Sequence, residues 1–555
     1  GFYWFVLTPA PLEADHYASR AAPELFTLVL AGSADSLMRG RERLAFESTA
    51  VPGFLTSRRW FPGKGAGIAG VRVADFALLR NRLGEEQFLL TLIEIDYGRG
   101  PRQTYCVPLA VDEKNEEGAF LPDALAKVRR GSKIGLLFAA DASPEFPLTA
   151  VAAMREGREL PTAEGAVIRF SASPRLADIT DVDASEVSRL SGEQSNSSMV
   201  LGDRMVFKLY RRLHPGTNPE IETGRFLTEI AQFPNTPPLL GSIEHIAADG
   251  TRVALAVLQR FVANQGDAWR LSVEGLKREL DTLALVPERE APSLTELFAF
   301  YRKYVKIIGR RTAELHLALA TPTQDPAFTV EPLTEEDMAA AAAETRARAE
   351  RVLAALERML PQVDDTRRPC LEALIRRREE CLATIALLGR EPGDAAKARI
   401  HGDYHLGQVL IAKDDVMIVD FEGEPSRPAA ERRSKSSPLR DVAGMLRSFS
   451  YAADTVVRDI GQRLTEAAPR AQTVAAKWQR ISSNAFLSAY EATARGSPLW
   501  ITDHAIRRRL LRFYLLDKAL YEIGYEADHR PQWIETPVRG VLAILDEERR
   551  IHDFG

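Results

Sequence analysis

The stretch "HGDYHLGQVLIAKDDVMIVDFEGEP", His401 to Pro425, constrains the chain more than any other. Two carboxylates, Asp403 and Asp420, flank a buried-looking apolar run, and Glu422 and Glu424 follow at once. Acids rarely sit beside apolar strands without a partner, because burying an unpaired charge is costly. A positive group is therefore expected among them. The polar Gln408, five residues after Asp403, adds an amide to the same loop.

The rest of the chain sets the frame for this segment. With 555 residues, 45% of them hydrophobic and 27% charged, it is long enough for roughly three or four domains of about 150 residues each. A net charge of -5 gives no basic surface for nucleic acid. No apolar run approaches the roughly 18 residues that span a bilayer, so no membrane partner is expected. Cys106, Cys370 and Cys381 form no disulfide framework, and a reducing cytoplasm fits best. On one shared helix, Cys370 and Cys381 would lie about 16 Å apart at about 1.5 Å per residue, too far to bond.

The aromatic opening "GFYWFVLTPAP" has no basic flank and no small-residue cleavage site, so it is not a signal peptide. It reads as an edge strand, and residues 1–23 are expected to be the tail and linker of an upstream domain. Residues 24–100 read as a small α+β domain with a Gly-rich "RRWFPGKG" loop, and 101–265 as further strands around the Ser/Asn turn "SGEQSNSSMV". From 266 to 555 the periodicity and the runs of helix formers predict a helical lobe. The expected fold class is α+β, with two lobes and an extra N-terminal domain.

The spacing of Asp403, Gln408 and Asp420 is the layout of a protein-kinase catalytic loop, with Gln for the usual Asn and "DFE" for "DFG". A loop carboxylate suits a base for a hydroxyl, and hard oxygens suit magnesium together with substrate phosphates. A magnesium nucleotide would supply the missing positive charge. Lys208 in "VFKLYRRL" matches the strand lysine that faces a phosphate. Glu222 or Glu220 on the following helix could pair with it, and Glu222 is preferred, since Phe226, one turn on, shares its inward face. Ser195, Asn196 and Ser197 offer donors to phosphate in place of a Gly-rich loop. His401 and His405 stand four apart, as in a helical zinc pair, but lack the accompanying Glu. In "SSPLRDVAGMLRSF", Ser437 and Pro438 begin a helix, and Leu439, Val442, Leu446 and Phe449 form a core stripe. Asp441 resembles the helix Asp that holds a kinase catalytic loop, and Arg440 and His401 are placed near the substrate.

Together, "RRWFPGKG", "GEQSNSSMV", "HGDYHLGQVL", "DFEGEP" and "SPLRDVAGMLRSF" resemble bacterial maltokinases, a family similar in fold to aminoglycoside and choline kinases. The likeness runs from about residue 24 to the C-terminus. It implies a protein-kinase-like bilobal fold with an N-terminal cap domain. It also implies ATP-dependent phosphorylation of maltose at its anomeric hydroxyl, giving maltose 1-phosphate for α-glucan synthesis. By motif it implies Asp403 as base; Gln408, Asp420 and Glu422 as magnesium ligands; Lys208 on phosphate; and Gln259, Phe261 and Val262 at the adenine hinge. "LLDKALYEIGYE" resembles the family's sugar-binding helix, which implicates Lys518, Tyr521 and Glu522. "GFYWFVL" is similar to the last strand of trehalose synthase, which implies that enzyme as a fused domain or partner. "NSS" where Asn-Thr-Ser is usual keeps the hydroxyl, and Pro62 where Gly is usual removes no functional group. The alternatives are a phosphotransferase for an aminoglycoside- or choline-like acceptor and a non-catalytic kinase-like module.

Overall fold

The computed structural model describes residues 25–553 apart from 59, 63–66, 82–83, 85–86, 99, 114–117, 191–195, 286–292, 425–426 and 464–467. Residues 1–23, expected to be an upstream remnant, therefore lie outside the described residues. So do Ser195 and all of "GKG" in the "RRWFPGKG" loop.

The first sheet comprises β1 (Thr27–Val29), β2 (Gly70–Arg80), β3 (Gln87–Asp96), β4 (Gln103–Asp112), β5 (Ala124–Arg130) and β6 (Lys133–Ala139), in the order β1-β5-β6-β4-β3-β2. It covers the short helices α1 (Gly40–Ala45) and α2 (Val51–Ser57). Side chains alternate between the faces of a strand, and β3 is apolar on both. Leu89, Ile93 and Ile95 pack with Phe46 and Leu55 in one core, while Phe88, Leu90 and Leu92 pack with Phe146 and Phe207 in a second. The sheet runs on to Ala139, past the boundary expected at residue 100, because β3 and β4 pair along their length.

After α3 (Glu145–Glu156), the second sheet adds β7 (Glu159–Pro161), β8 (Val167–Ala172), β9 (Val187–Arg189), β10 (Asn196–Leu201), β11 (Met205–Tyr210), β13 (Leu239–Ile246) and β14 (Arg252–Arg260). Its order is β7-β8-β13-β14-β11-β10-β9. Between its strands lie β12 (Arg212–Leu213), which pairs with β4 and so joins the two sheets, and α4 (Pro219–Arg225). α4 is capped by Asn218 and passes into a π-helical turn at Phe226–Ile230.

The rest is the helical lobe: α5 (Ala268–Leu285), α6 (Leu294–Leu297), α7 (Ala299–Leu319), α8 (Glu335–Met359), α9 (Arg368–Arg376), α10 (Arg378–Leu388), α11 (Ala429–Arg432), α12 (Leu439–Arg463), α13 (Ala468–Ala494), α14 (His504–His529) and α15 (Glu535–Asp553). It also holds a two-stranded ribbon, β15 (Glu331–Pro332) with β16 (Ala396–Lys397), and the hairpin β17 (Val409–Ala412) with β18 (Asp415–Ile418). Cys370 and Cys381 lie on α9 and α10, since the helix breaks at Arg377, and both are free thiols. The expected α+β architecture, with a β-rich lobe, a helical lobe and an N-terminal cap, is thus present.

Two backbone sutures hold the lobes together. After β14, Gln265 N–H donates to Ile411 O at 2.9 Å and Ile411 N–H to Gly266 O at 2.9 Å. On the other strand of the hairpin, Ile418 N–H donates to Asn235 O at 2.8 Å and Asn235 Nδ2 to Val416 O at 2.9 Å. The hairpin that ends at Asp420 is therefore registered on the β-rich lobe by main chain. α12 packs beneath it with Leu439, Val442, Leu446 and Phe449 buried, as expected. Gly444 permits a close approach: a Cβ there would stand 2.5 Å from the Tyr404 carbonyl oxygen. Gly444→Ala is predicted to overpack this joint at a cost of about 1–3 kcal/mol. Urea unfolding checks it, and an unchanged midpoint would mean that the loop has room to move away.

Candidate active site

Lys208 sits on β11 with its side chain turned into the groove between the lobes. Its ammonium lies 3.1 Å from Glu220 Oε2, 3.0 Å from Asp420 Oδ1 and 2.5 Å from Glu422 Oε1. These three acids come from α4 and from the segment after β18, 12 to 214 residues away in sequence. Burial opposes the charge of Lys208, but the three carboxylates outweigh it and raise its pKa well above the ordinary lysine value. Asp420 is half-buried; desolvation opposes its charge, but Lys208 holds its carboxyl below the usual range. Burial together with Glu422 and Asp420 pushes Glu220 up to about 7 against the pull of Lys208. One ammonium among three carboxylates leaves the cluster short of positive charge.

Further groups fix these acids. Tyr210, two residues beyond Lys208 and so on the same strand face, donates its hydroxyl to Glu220 Oε2 at 2.6 Å. Gln259 Nε2 donates to Glu220 Oε1 at 3.3 Å, Gln408 Nε2 to Asp420 Oδ2 at 3.1 Å, and Asn196 Nδ2 to Glu422 Oε1 at 3.2 Å. Asp420 has φ +67°, in the left-handed region that few residues other than glycine adopt. Carboxylate oxygens of Glu220, Asp420 and Glu422 all lie within 4.8 Å of one another, a grouping able to hold a metal ion.

Glu222 is not the partner of Lys208. It accepts from Arg399 Nη2 at 2.7 Å and from Arg433 Nε at 2.9 Å. Glu222 does share a face with Phe226, but that face looks at the helical lobe, where Phe226 stacks on Phe328 at 3.8 Å. The glutamate near the start of the helix, Glu220, is the one aimed at the sheet. Three further expectations are also corrected. Ser197 faces away from the groove, because side chains alternate along β10, and its hydroxyl accepts from Arg211 Nε at 2.9 Å. His401 is buried and its Nε2 bonds the Val419 carbonyl at 2.9 Å, so it braces the loop and does not face a substrate. Gln259 reaches the lysine cluster, while the Phe261 N–H is engaged by Arg204 O at 2.8 Å and the Val262 carbonyl by Asn264 Nδ2 at 2.9 Å.

The loop from His401 to Gln408 is held from below by Asp441 of α12. Asp441 Oδ2 accepts from His401 N–H at 2.8 Å and Oδ1 from Gly402 N–H at 2.9 Å. His316 Nε2 on α7 meets the same carboxylate at 3.1 Å. Gly402 has φ +87° and turns the chain so that Asp403 emerges on the groove side. His405 is no zinc ligand here: its Nδ1 accepts from Gly407 N–H at 3.1 Å. Asp403 Oδ1 lies 3.5 Å from Lys518 Nζ, which is also 3.3 Å from Glu424 Oε1 and stands over the Tyr521 ring at 4.7 Å. Burial opposes the charge of Glu424, but Lys518, Arg427 and Arg440 hold its carboxyl down at about 2. A cavity lined by Asp403, Glu424, Arg440, Asp517, Lys518 and Tyr521 opens at this point. Glu522 is turned aside and pairs with Arg447 at 2.7 Å.

Sequence reasoning missed Tyr210 and Glu424 as members of these clusters and ranked Glu220 second to Glu222. The period of two along β11 points to Tyr210, and "DFEGEP" displays Glu424; nothing local separates Glu220 from Glu222. The two glutamates are expected to behave differently on substitution. Glu220→Gln should weaken binding of a magnesium nucleotide about tenfold by loosening Lys208, as expected for a charge-assisted hydrogen bond. Glu222→Gln, which strands Arg399, should instead cost stability of about 3–5 kcal/mol. Calorimetric titration and thermal melts of both variants separate the roles; the reverse pattern would restore Glu222 as the partner.

Comparison with known proteins agrees with this arrangement. The maltokinase N-terminal cap domain model matches residues 54–143, and the phosphotransferase enzyme family model matches residues 186–472, just over half of the chain. A glucosamine kinase of Mycolicibacterium smegmatis is 29% identical over 358 residues, covering 64% of this chain and 78% of the relative. A glucosamine kinase of Streptacidiphilus jiangxiensis is 26% identical over 439 residues, covering 77% and 91%. Among solved structures, a glucosamine kinase (crystal form B) is similar in fold at TM-score 0.61 and 20% identity, over 89% of this chain and 97% of that one. A glucosamine kinase in complex with glucosamine, ADP and inorganic phosphate gives 0.59 at 21% identity, over 89% and 99%. The chain belongs to the phosphotransferase enzyme family and is a maltokinase-type kinase, with the cap domain of the maltokinases ahead of its phosphotransferase lobes.

Proposed function

We propose that this protein is an ATP-dependent sugar kinase that phosphorylates maltose at the anomeric hydroxyl to give maltose 1-phosphate. The observation that carries the reading is the placing of Asp403. Its carboxylate faces a polar cavity on one side of the groove, with the Lys208 cluster on the other. Asp403 takes the proton of the acceptor hydroxyl, as a loop carboxylate can, and Lys208 contacts the transferring phosphate. Asp420, Gln408 and Glu422 are suited to hold magnesium, because the cluster offers hard oxygens and is short of positive charge. Magnesium bound there would neutralise charge on the phosphates. Asn196 contributes a donor at the start of β10.

The acceptor pocket carries charges of both signs. Lys518, Arg427 and Arg440 line it together with Asp403, Glu424 and Asp517. These groups can donate to and accept from the hydroxyls of maltose, which supports the reading. The second reading is an amino sugar, favoured by the names of the glucosamine kinases it resembles. The resemblance to maltokinases further suggests that a trehalose synthase domain or subunit supplies the maltose and that the product feeds α-glucan synthesis in the cytoplasm.

Asp403→Asn is expected to lower turnover about 100- to 10,000-fold while leaving calorimetric binding of Mg-ATP nearly intact. A variant that keeps most of its turnover would remove Asp403 from the role of base. ADP release measured against maltose, glucosamine, an aminoglycoside and choline should be highest with maltose. A higher kcat/KM for glucosamine would replace maltose by the amino sugar, with the same catalytic groups.

A further inference from the structure

A second cavity, of about 160 Å³, borders the Lys208 cluster at Asn196, Tyr210 and Glu422. Roughly 10–15 Å³ of such space admits one water, so this cavity has room for an oxyanion and part of the molecule carrying it. It sits where three parts of the fold meet: Arg212 comes from β12, which is paired to the cap sheet; His214, Thr217 and Asn218 from the turn before α4; and Arg432 from α11. Lys208, Asp420, Gln408 and Asp403 do not line it.

Its chemistry is donor-rich. Among the described residues neither Arg212 nor Arg432 forms an ion pair. Arg432 donates through Nη1 to the Glu422 carbonyl at 3.1 Å. The Asn218 side-chain oxygen is committed to the N–H groups of Glu220 and Ile221, which leaves its amide hydrogens for the cavity. The one carboxylate on the wall, Glu422, is bound to Lys208 and to Asn196. A cation would meet two guanidinium groups here, and a neutral apolar group would strand them. We infer that this cavity is a second anion site, built for a phosphate dianion held by Arg212, Arg432, Thr217 and Asn218, distinct from the site of the transferred phosphoryl group. Free orthophosphate and the phosphate of a sugar monophosphate share this chemistry.

The test is calorimetric titration of orthophosphate, and separately of glucose 6-phosphate, into the full chain held saturated with Mg-AMP-PNP so that the nucleotide groove is filled. Saturable binding of at least one is expected, weakened about tenfold or more in Arg212→Ala, as the loss of a charge-assisted contact predicts. Arg212 is exposed, so the melting temperature of this variant should match that of the parent; Thr217→Val should weaken the same binding to a smaller degree. Binding of orthophosphate alone would name the free ion as the ligand, and tighter binding of glucose 6-phosphate would name the ester. No saturable binding of either anion, binding unchanged in Arg212→Ala, or binding seen only when AMP-PNP is left out would each overturn the assignment.

Discussion

The ammonium of Lys208 among Glu220, Asp420 and Glu422 is the contact on which the active groove depends. An ion pair taken out of water is held only by good geometry and by further hydrogen bonds to its remaining lone pairs. Here those bonds come from Tyr210, Gln259, Gln408 and Asn196. Each is contributed by a different strand or loop, so the cluster forms only when the sheet, α4 and the β17–β18 hairpin are all in register. Burial, with the excess of carboxylate over ammonium added to it, raises the Glu220 carboxyl to about 7. The groove is poised to gain a further cation together with its anionic ligand.

The second support is Asp441. It is buried, and it satisfies two successive N–H groups of the loop that presents Asp403. Its own position follows from the apolar stripe of α12, packed against α13 and α14, and from Gly444, which lets the helix touch the Tyr404 carbonyl. Hydrophobic burial at α12 thus sets the height of the loop carboxylate, and the main-chain sutures at Ile411 and Ile418 set the distance between that carboxylate and Lys208. Packing and hydrogen bonding here divide the labour of aligning two groups more than 190 residues apart in sequence.

Much of this was legible in the chain. The period-two pattern of β10, β11 and β14, the helical runs from α5 onward, and the spacing Asp403–Gln408–Asp420 are local features, and local features survive in a linear sequence. Asp441 was legible for the same reason, since its helix announces itself by a cap, a proline and a stripe. The positions that went astray all have two plausible destinations. Glu222 and Glu220 both point inward from α4, one to Arg399 and one to Lys208. Ser197 and Asn196 are adjacent, and a strand sends adjacent side chains to opposite faces. His401 looks like a ligand in sequence and is a brace in the fold.

The sequence by itself determined the chemistry on offer: a loop carboxylate, an amide, a strand lysine, a cluster of acids and the elements that carry them. Only the tertiary structure decided which acid meets the lysine, which lysine meets Asp403, and that Arg212 and Arg432 line one cavity. The reason is physical. Periodicity and capping act over a few residues and are written locally, whereas the choice between two inward faces is made by the partner that arrives from a distant segment, and the cost of an unpaired buried charge enforces that choice only once the lobes have closed.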